Sequence, residues 1–283
     1  MLRQRVNRSG GFLRVACSLA GLNGILKAPD SGGFFAFLRF DLDRSNFVFS
    51  LLYSKNADIG RDRFRHRNFI KVMPGLFEMN KKTHWEGVYS SKPAGALGWY
   101  KPHLQTSIAW IKELGLEAEA PIIDVGGGVS TLVDDLLNAG HRSISVLDIS
   151  EEALKAARAR LGAMGEAITW LNGDITSFDL PRHHYELWHD RAAFHFLTEL
   201  DQQQSYRDNL LNALKPGGHL IIGTFAPEAP PKCSGLPIQR YTHEKLNNVL
   251  GGEFELQRHD KELHVTPGGV EQMYLYCHFR KKG

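Results

Sequence analysis

Three acids and a run of glycines fall at spacings that could build a ligand cradle. Asp124-Val-Gly-Gly-Gly128 follows a short apolar run and precedes a helical pattern, so backbone at Gly126 and Gly128 can approach a ligand closely. That arrangement alone would also suit a dinucleotide. However, the G-x-G-x-x-G pattern fails at its last position, Thr131, and Asp124 would face a pyrophosphate unfavourably. A ligand with a cationic amino group and a sulfonium would favour a carboxylate there. Asp148, 22 residues beyond Gly126, closes the next apolar run, where one carboxylate can take both hydroxyls of a ribose. Its alternative role is a helix cap. Asp174, in Asn172-Gly-Asp-Ile-Thr, can accept from an adenine amino group while Ile175 packs on the ring; its alternative is a solvated turn acid.

The elements that must position these residues alternate in type. Residues 121–125, 143–148, 167–171, 185–188 and 219–225 read as strands. Between them lie helical patterns at residues 130–139, at the segment capped by Ser150, and at residues 201–214, which ends at Lys215-Pro-Gly-Gly218. Glu151 and Glu152 favour the start of the middle helix, and Arg158 and Arg160 its end. Such alternation predicts a parallel sheet covered on both faces. Residues 254–264 and 271–279, split by Thr266-Pro-Gly-Gly269, predict an antiparallel hairpin on its edge. The expected fold is α/β: a seven-stranded, mostly parallel, doubly wound sheet with a C-terminal antiparallel hairpin.

The motifs D-V-G-G-G, L-D-I-S, N-G-D-I-T and L-K-P-G-G-H-L together resemble the ordered motifs of class I, Rossmann-type, S-adenosylmethionine-dependent methyltransferases. The likeness covers about 200 residues and departs at Ser130, where many members have a third glycine. It implies S-adenosyl-L-methionine as cofactor, with Gly126 and Gly128 along the methionine moiety, Asp148 on the ribose, and Asp174 with Ile175 at the adenine. It also implies that the transferred methyl points toward the end of the fourth strand. There, Asp190 and His195 are candidates for proton transfer and Arg191 for clamping a carboxylate. Trp99 and Tyr100, with Trp85 and Tyr89 before them, could face the sulfonium and exclude water, or simply close the core. Cys233-Ser-Gly-Leu-Pro237 is a candidate substrate loop. The W-E-x-x-Y opening and D-R-A-A-F loosely resemble the protein-lysine methyltransferase branch that contains the citrate synthase lysine methyltransferase.

These readings lead to methyl transfer onto a protein lysine or a small molecule. An NAD-dependent oxidoreductase and a catalytically silent cofactor-binding module are the alternatives. No [DN]-P-P-[YF] signature for exocyclic nitrogen, no Pro-Cys nucleophile for cytosine carbon and no Lys-Asp-Lys-Glu series for ribose methylation occurs. Three scattered cysteines, Cys17, Cys233 and Cys277, suit neither a disulfide framework nor a zinc site, and no metal is expected. They fit a reducing compartment, which points to the cytoplasm.

Charge divides the chain. Residues 1–78 hold 13 Lys/Arg against 6 Asp/Glu, whereas residues 79–283 hold 21 against 25. A mildly acidic main domain gives no electrostatic reason to expect nucleic acid as partner. No run of apolar residues is long enough to span a membrane; the expected state is a monomer. Residues 1–78 show clustered phenylalanines without sustained period, and are expected to be an unstructured or spurious extension before a domain at 79–283. The first 29 residues carry four Arg, one Lys and no acid, a composition resembling a mitochondrial presequence; if it acts as one, the protein is mitochondrial. The basic run at residues 61–67 is a possible nucleic-acid arm or a solvated stretch.

Overall fold

The computed structural model describes residues 24–27, 35–43, 46–54 and 74–283. The chain divides into two units, Met1–Leu76 and Phe77–Gly283. In the first, strands β1 (Gly24–Lys27), β2 (Phe35–Asp43) and β3 (Asn46–Ser54) form an antiparallel sheet in sequence order. The β2–β3 register pairs Ala36 with Tyr53, Leu38 with Leu51, Phe40 with Phe49 and Leu42 with Phe47, so every second pair is apolar on both sides. This is a period the sequence reading had not found. The first 23 residues and the basic run at 61–67 lie outside the described residues.

The second unit holds the expected sheet. Its central strands are parallel: β4 (Ile122–Val125), β5 (Ile144–Asp148), β6 (Thr169–Asn172), β7 (Tyr185–Arg191) and β8 (Leu214–Phe225). The hairpin of β11 (Phe254–Val265) and β12 (Glu271–Lys281) joins antiparallel to β8, giving the order β11-β12-β8-β7-β4-β5-β6. A separate two-stranded hairpin, β9 (Lys232–Cys233) and β10 (Leu236–Pro237), lies between. Lys215-Pro-Gly-Gly218, expected as the turn before a strand, instead lies inside β8. Leu214 pairs with Tyr185 and His219 with Leu187, so the turn is a bulge in a longer strand.

Helices α2 (Gln105–Glu113), α3 (Leu132–Asn138), α4 (Glu151–Leu161), α5 (Leu200–Ala213) and α6 (His243–Leu250) cover the faces, and α1 (Pro74–Ser91) precedes them. As expected, Ser150 caps α4 by accepting from Ala153 N–H at 3.2 Å. Strands β4 and β5 are buried along their length, the mark of a parallel sheet covered twice. Alternation sorts their residues. Ile123, Val125 and Trp188 pack with Tyr206 and Leu210 on one face; Ile122 and Leu187 pack with Trp110 and Ile111 on the other. Each such side chain contributes roughly 1.5–3 kcal/mol of burial.

Candidate active site

The loop after β4 turns on glycines in the left-handed region, Gly126 at φ +65° and Gly128 at φ +44°. Neither could carry a side chain. A Cβ on Gly126 would lie 2.4 Å from Ala193 Cβ, and one on Gly128 would lie 2.8 Å from both Asp148 Oδ2 and the Tyr89 hydroxyl. At Gly126 the backbone is thereby kept bare against a cavity of about 770 Å³, including the part open to solvent, whereas Gly128, expected along the ligand, lines neither that cavity nor the recess adjoining it and makes room for Asp148 and Tyr89. Such a volume suffices for a drug-sized ligand.

Asp148 sits beside the loop at the end of β5, with Oδ1 accepting the Ser150 N–H at 2.8 Å. Burial, reinforced by the charges of Asp124 and Glu86, pushes its carboxyl up to about 7. A group so placed gains from ligand hydroxyls that donate to its charged form. Asp174 lines the cavity too, but its Oδ1 also closes an Asx turn with Thr176 N–H (2.9 Å) and hydroxyl (2.8 Å). Both readings of Asp174 thus coexist. Ile175, buried, lines the same wall.

Helix α1 roofs the cavity, a role its weak apolar periodicity had hidden. Trp85 and Tyr89, one turn apart, both line it, with Trp99 and Phe196. Trp85 meets Trp99 edge-on at 5.6 Å and Phe196 at 4.9 Å; Tyr89 meets Trp99 at 5.9 Å. Between them Glu86 reaches the start of α4. It accepts from the Ser150 hydroxyl at 2.7 Å, from Glu151 N–H at 3.0 Å and from Glu152 N–H at 3.1 Å. A carboxylate at those free donors is favourable at a helix N-terminus. The W-E-x-x-Y spacing is what carries this roof: two aromatics facing in and one acid fixing the helix.

A second, smaller recess adjoins the first along Gly126, Trp99 and Arg191, and is lined also by Asp124, Tyr100 and Lys101. Two residues of its lining each keep a buried side-chain atom without a hydrogen-bond partner among the described residues: Asp124 Oδ2 and Arg191 Nη2. The rest of each group is held. Asp124 Oδ1 binds His189 Nδ1 at 2.7 Å. Arg191 donates from Nε to the Tyr276 hydroxyl and from Nη1 to the Trp99 carbonyl, both at 2.9 Å, and lies 4.3 Å over the Tyr274 ring. Burial opposes the guanidinium charge, but Tyr274, Tyr276 and Glu262 hold it firmly protonated. One spare anionic oxygen and one spare cationic N–H in one recess complement an α-amino acid, whose ammonium and carboxylate need those partners. Tyr100 lines only this recess, whereas Trp99 faces both.

Two candidates for proton transfer sit elsewhere. Asp190 is fully buried and does not line the cavity. Its oxygens accept from Ala193 N–H (3.0 Å), Phe194 N–H (3.1 and 3.2 Å) and the Tyr206 hydroxyl (2.9 Å). Burial pushes its carboxyl up to about 6. The expectation that Asp190 meets the transferred methyl is corrected: strand alternation turns it toward α5, where it holds the loop that follows. His195 is likewise sealed between Phe196 and Phe225, and its Nδ1 accepts the Phe225 N–H at 3.3 Å. Burial, aided by the Arg191 charge, drives it down to about 3, so it is neutral and out of reach of the cavity. Arg191 alone of the three lines both recesses. Cys233 also reaches the cavity wall, from a hairpin whose turn is Ser234-Gly235; burial pushes its thiol up to about 12.

Residues 122–218 match the family model described as a methyltransferase domain. That match covers about a third of the chain, and together with the fold it makes the domain similar to class I S-adenosylmethionine-dependent methyltransferases. The chain is 21% identical over 155 residues to the eEF1A lysine and N-terminal methyltransferase of Mus musculus, across 53% of this chain and 22% of that protein. The chain thus spans about a fifth of the curated relatives it matches first. It is 22% identical over 209 residues to EEF1A lysine methyltransferase 2 of Danio rerio, across 68% of this chain and 83% of the relative. Among solved structures, it resembles the 1,6-didemethyltoxoflavin-N1-methyltransferase of Burkholderia thailandensis, which holds 1,6-didemethyltoxoflavin and S-adenosylhomocysteine. That likeness has a TM-score of 0.58 at 17% identity, covering 86% of this chain and 98% of the other, and is one of fold. No helix among the described residues is long and apolar enough to cross a membrane.

Proposed function

We propose that this domain binds S-adenosylmethionine across both recesses and passes its methyl group to a small-molecule acceptor entering beneath α1. The observation that carries the reading is the pair of unpartnered atoms, Asp124 Oδ2 and Arg191 Nη2, in the recess beside the glycine loop. They fit the amino-acid end of this cofactor, which carries an ammonium and a carboxylate together, whereas a dinucleotide has no cationic ammonium to set against the Asp124 carboxylate. Asp148 would hold the ribose, and Asp174 with Ile175 the adenine.

When bound, the cofactor supplies an already activated methyl, so the protein's share is placement. Trp85, Trp99 and Phe196 exclude water and offer ring faces to a sulfonium. Among the described residues no histidine lines either recess, and the lining carboxylates Asp124, Asp148 and Asp174 are those assigned above to the cofactor. An acceptor that arrives already nucleophilic, such as a carboxylate or a ring nitrogen, suits such a lining better than a lysine ammonium, which must first lose a proton. Protein lysine is the second reading, favoured by the curated relatives. The cavity is built within one chain, consistent with action as a monomer, and the buried, unpaired Cys233 and Cys277 fit the cytoplasm or the mitochondrial matrix.

Calorimetry with S-adenosylmethionine and with NAD tests the cofactor. Binding of NAD in preference would end this reading. Radiolabelled methyl transfer into a size-fractionated lysate then assigns the acceptor: label in small molecules is expected, and label in protein bands would favour lysine.

A further inference from the structure

Beneath the second recess runs a line of polar groups that no step above uses. Asp124 Oδ1 faces His189 Nδ1 at 2.7 Å, and His189 Nε2 faces the Ser107 hydroxyl at 2.9 Å. All three side chains are buried. Ser107 in turn acts on the Tyr276 hydroxyl as a hydrogen-bond partner, the loosest link, and Tyr276 accepts from Arg191 Nε at 2.9 Å. One assignment of protons satisfies each measured bond: Arg191 donates to Tyr276, Ser107 to His189 Nε2, and His189 Nδ1–H to Asp124, with Ser107 and Tyr276 meeting between them. The line therefore runs in one direction from a cation to an anion. Chains polarised this way strengthen their own links in a low-dielectric interior. Its two ends are the two groups whose spare atoms face the recess.

We infer that His189 is a positioning residue, which with Ser107 and Tyr276 holds Asp124 and Arg191 at the spacing and charge needed to grip the amino-acid end of the cofactor. The inference rests on the reading above. Without His189, Asp124 Oδ1 would lose its hydrogen-bond partner and be free to rotate; the cofactor's ammonium would then meet a less fixed acceptor. Among the described residues no hydrogen bond joins this line to Asp148, Asp174 or Ile175, and only the Asp124 charge acts on Asp148, so the effect should fall chiefly on one end of the ligand.

The test compares two probes, S-adenosylhomocysteine, which has the amino-acid end, and 5′-methylthioadenosine, which lacks it. Their dissociation constants are measured by calorimetry on the full chain. In the parent protein S-adenosylhomocysteine should bind tighter. His189→Leu should weaken it about tenfold or more while leaving 5′-methylthioadenosine within about twofold. His189→Asn keeps a donor near Asp124 and should restore most of the loss. Should His189→Leu fail to fold, Ser107→Ala should shift the same ratio in the same direction, by a smaller factor. An unchanged ratio in folded variants overturns the inference, as does an equal loss for both probes, which marks His189 as a packing residue. If the parent binds neither probe, the cofactor reading itself fails. If it binds both equally, only the amino-acid recess fails.

Discussion

Glu86 accepts the Ser150 hydroxyl at 2.7 Å, and this contact ties the roof of the cavity to the turn that carries Asp148. Burial alone would raise the Glu86 carboxyl, but donors from Ser150, Glu152 and Glu151, with the charge of Lys82, hold it below the usual glutamate range. A depressed carboxyl contributes stability above its unfolded pKa and loses it as pH falls through the folded one. Glu86→Gln should therefore cost about 1–2 kcal/mol at neutral pH and nothing further once the pH drops well below 4. Urea unfolding of the two proteins at several pH values checks both statements.

Asp148 titrates the opposite way. Its folded pKa, near 7, lies above the unfolded value, so its contribution to stability is full at acid pH and is lost as pH rises through about 7. Ligand hydroxyls need the charged form. Affinity for S-adenosylhomocysteine should rise by up to about tenfold per unit between pH 5 and 7, then level off. Asp148→Asn should flatten that profile, as calorimetry across this range would reveal; a profile unchanged by the substitution would remove Asp148 from the site.

Asp190 answers to stability first. Asp190→Asn puts an amide where two backbone N–H groups and the Tyr206 hydroxyl converge, and should cost about 2–4 kcal/mol. The melting temperature should drop, with turnover per folded molecule falling far less. A hundredfold rate loss at an unchanged melting temperature would return Asp190 to the reacting groups.

Helix α1 sets where the chain can be shortened. A protein beginning at Pro74 should keep its melting temperature and its affinity for S-adenosylhomocysteine. Beginning at Ser90 removes Trp85, Glu86 and Tyr89, and should weaken binding at least about tenfold. Calorimetry on the two truncations checks this, and a loss already at Pro74 would give the preceding unit a part in the site.

Much of this was legible in the chain because it is local. The glycines, Asp148 at a strand end, and Ser150 with its acids and bases each declare themselves within one turn or one strand. What the sequence hid is parity and distance. In β7, Trp188 and Asp190 face α5 while His189 and Arg191 face α2 and β12; one step along the strand separates a loop anchor from a residue that lines both recesses. Strand-end position alone could not choose between Asp190 and Arg191. The aromatics of the roof were legible; what fixes them, Glu86, was not, for a different reason. Glu86 finds its donors 64–66 residues away, and nothing in the local pattern of α1 announces a partner so distant.

The hairpin of β11 and β12 has a consequence for how the protein is made. Tyr274 and Tyr276, which cradle the Arg191 guanidinium, are the better part of a hundred residues downstream of it, and Glu262 of the same hairpin, paired with Tyr274, holds Lys101 and Thr106. On the ribosome the glycine loop, Asp148 and Asp174 emerge long before these tyrosines do. The nascent chain can then form most of the parallel sheet, but it has no fixed guanidinium and no seated Lys101, so ligand cannot reward a partly made product. Closing those long-range contacts comes last and is slow. Binding competence in a growing chain should appear abruptly, once the final hairpin clears the exit tunnel, so that a translation product cut short upstream of it would be unable to draw cofactor out of the cell's pool.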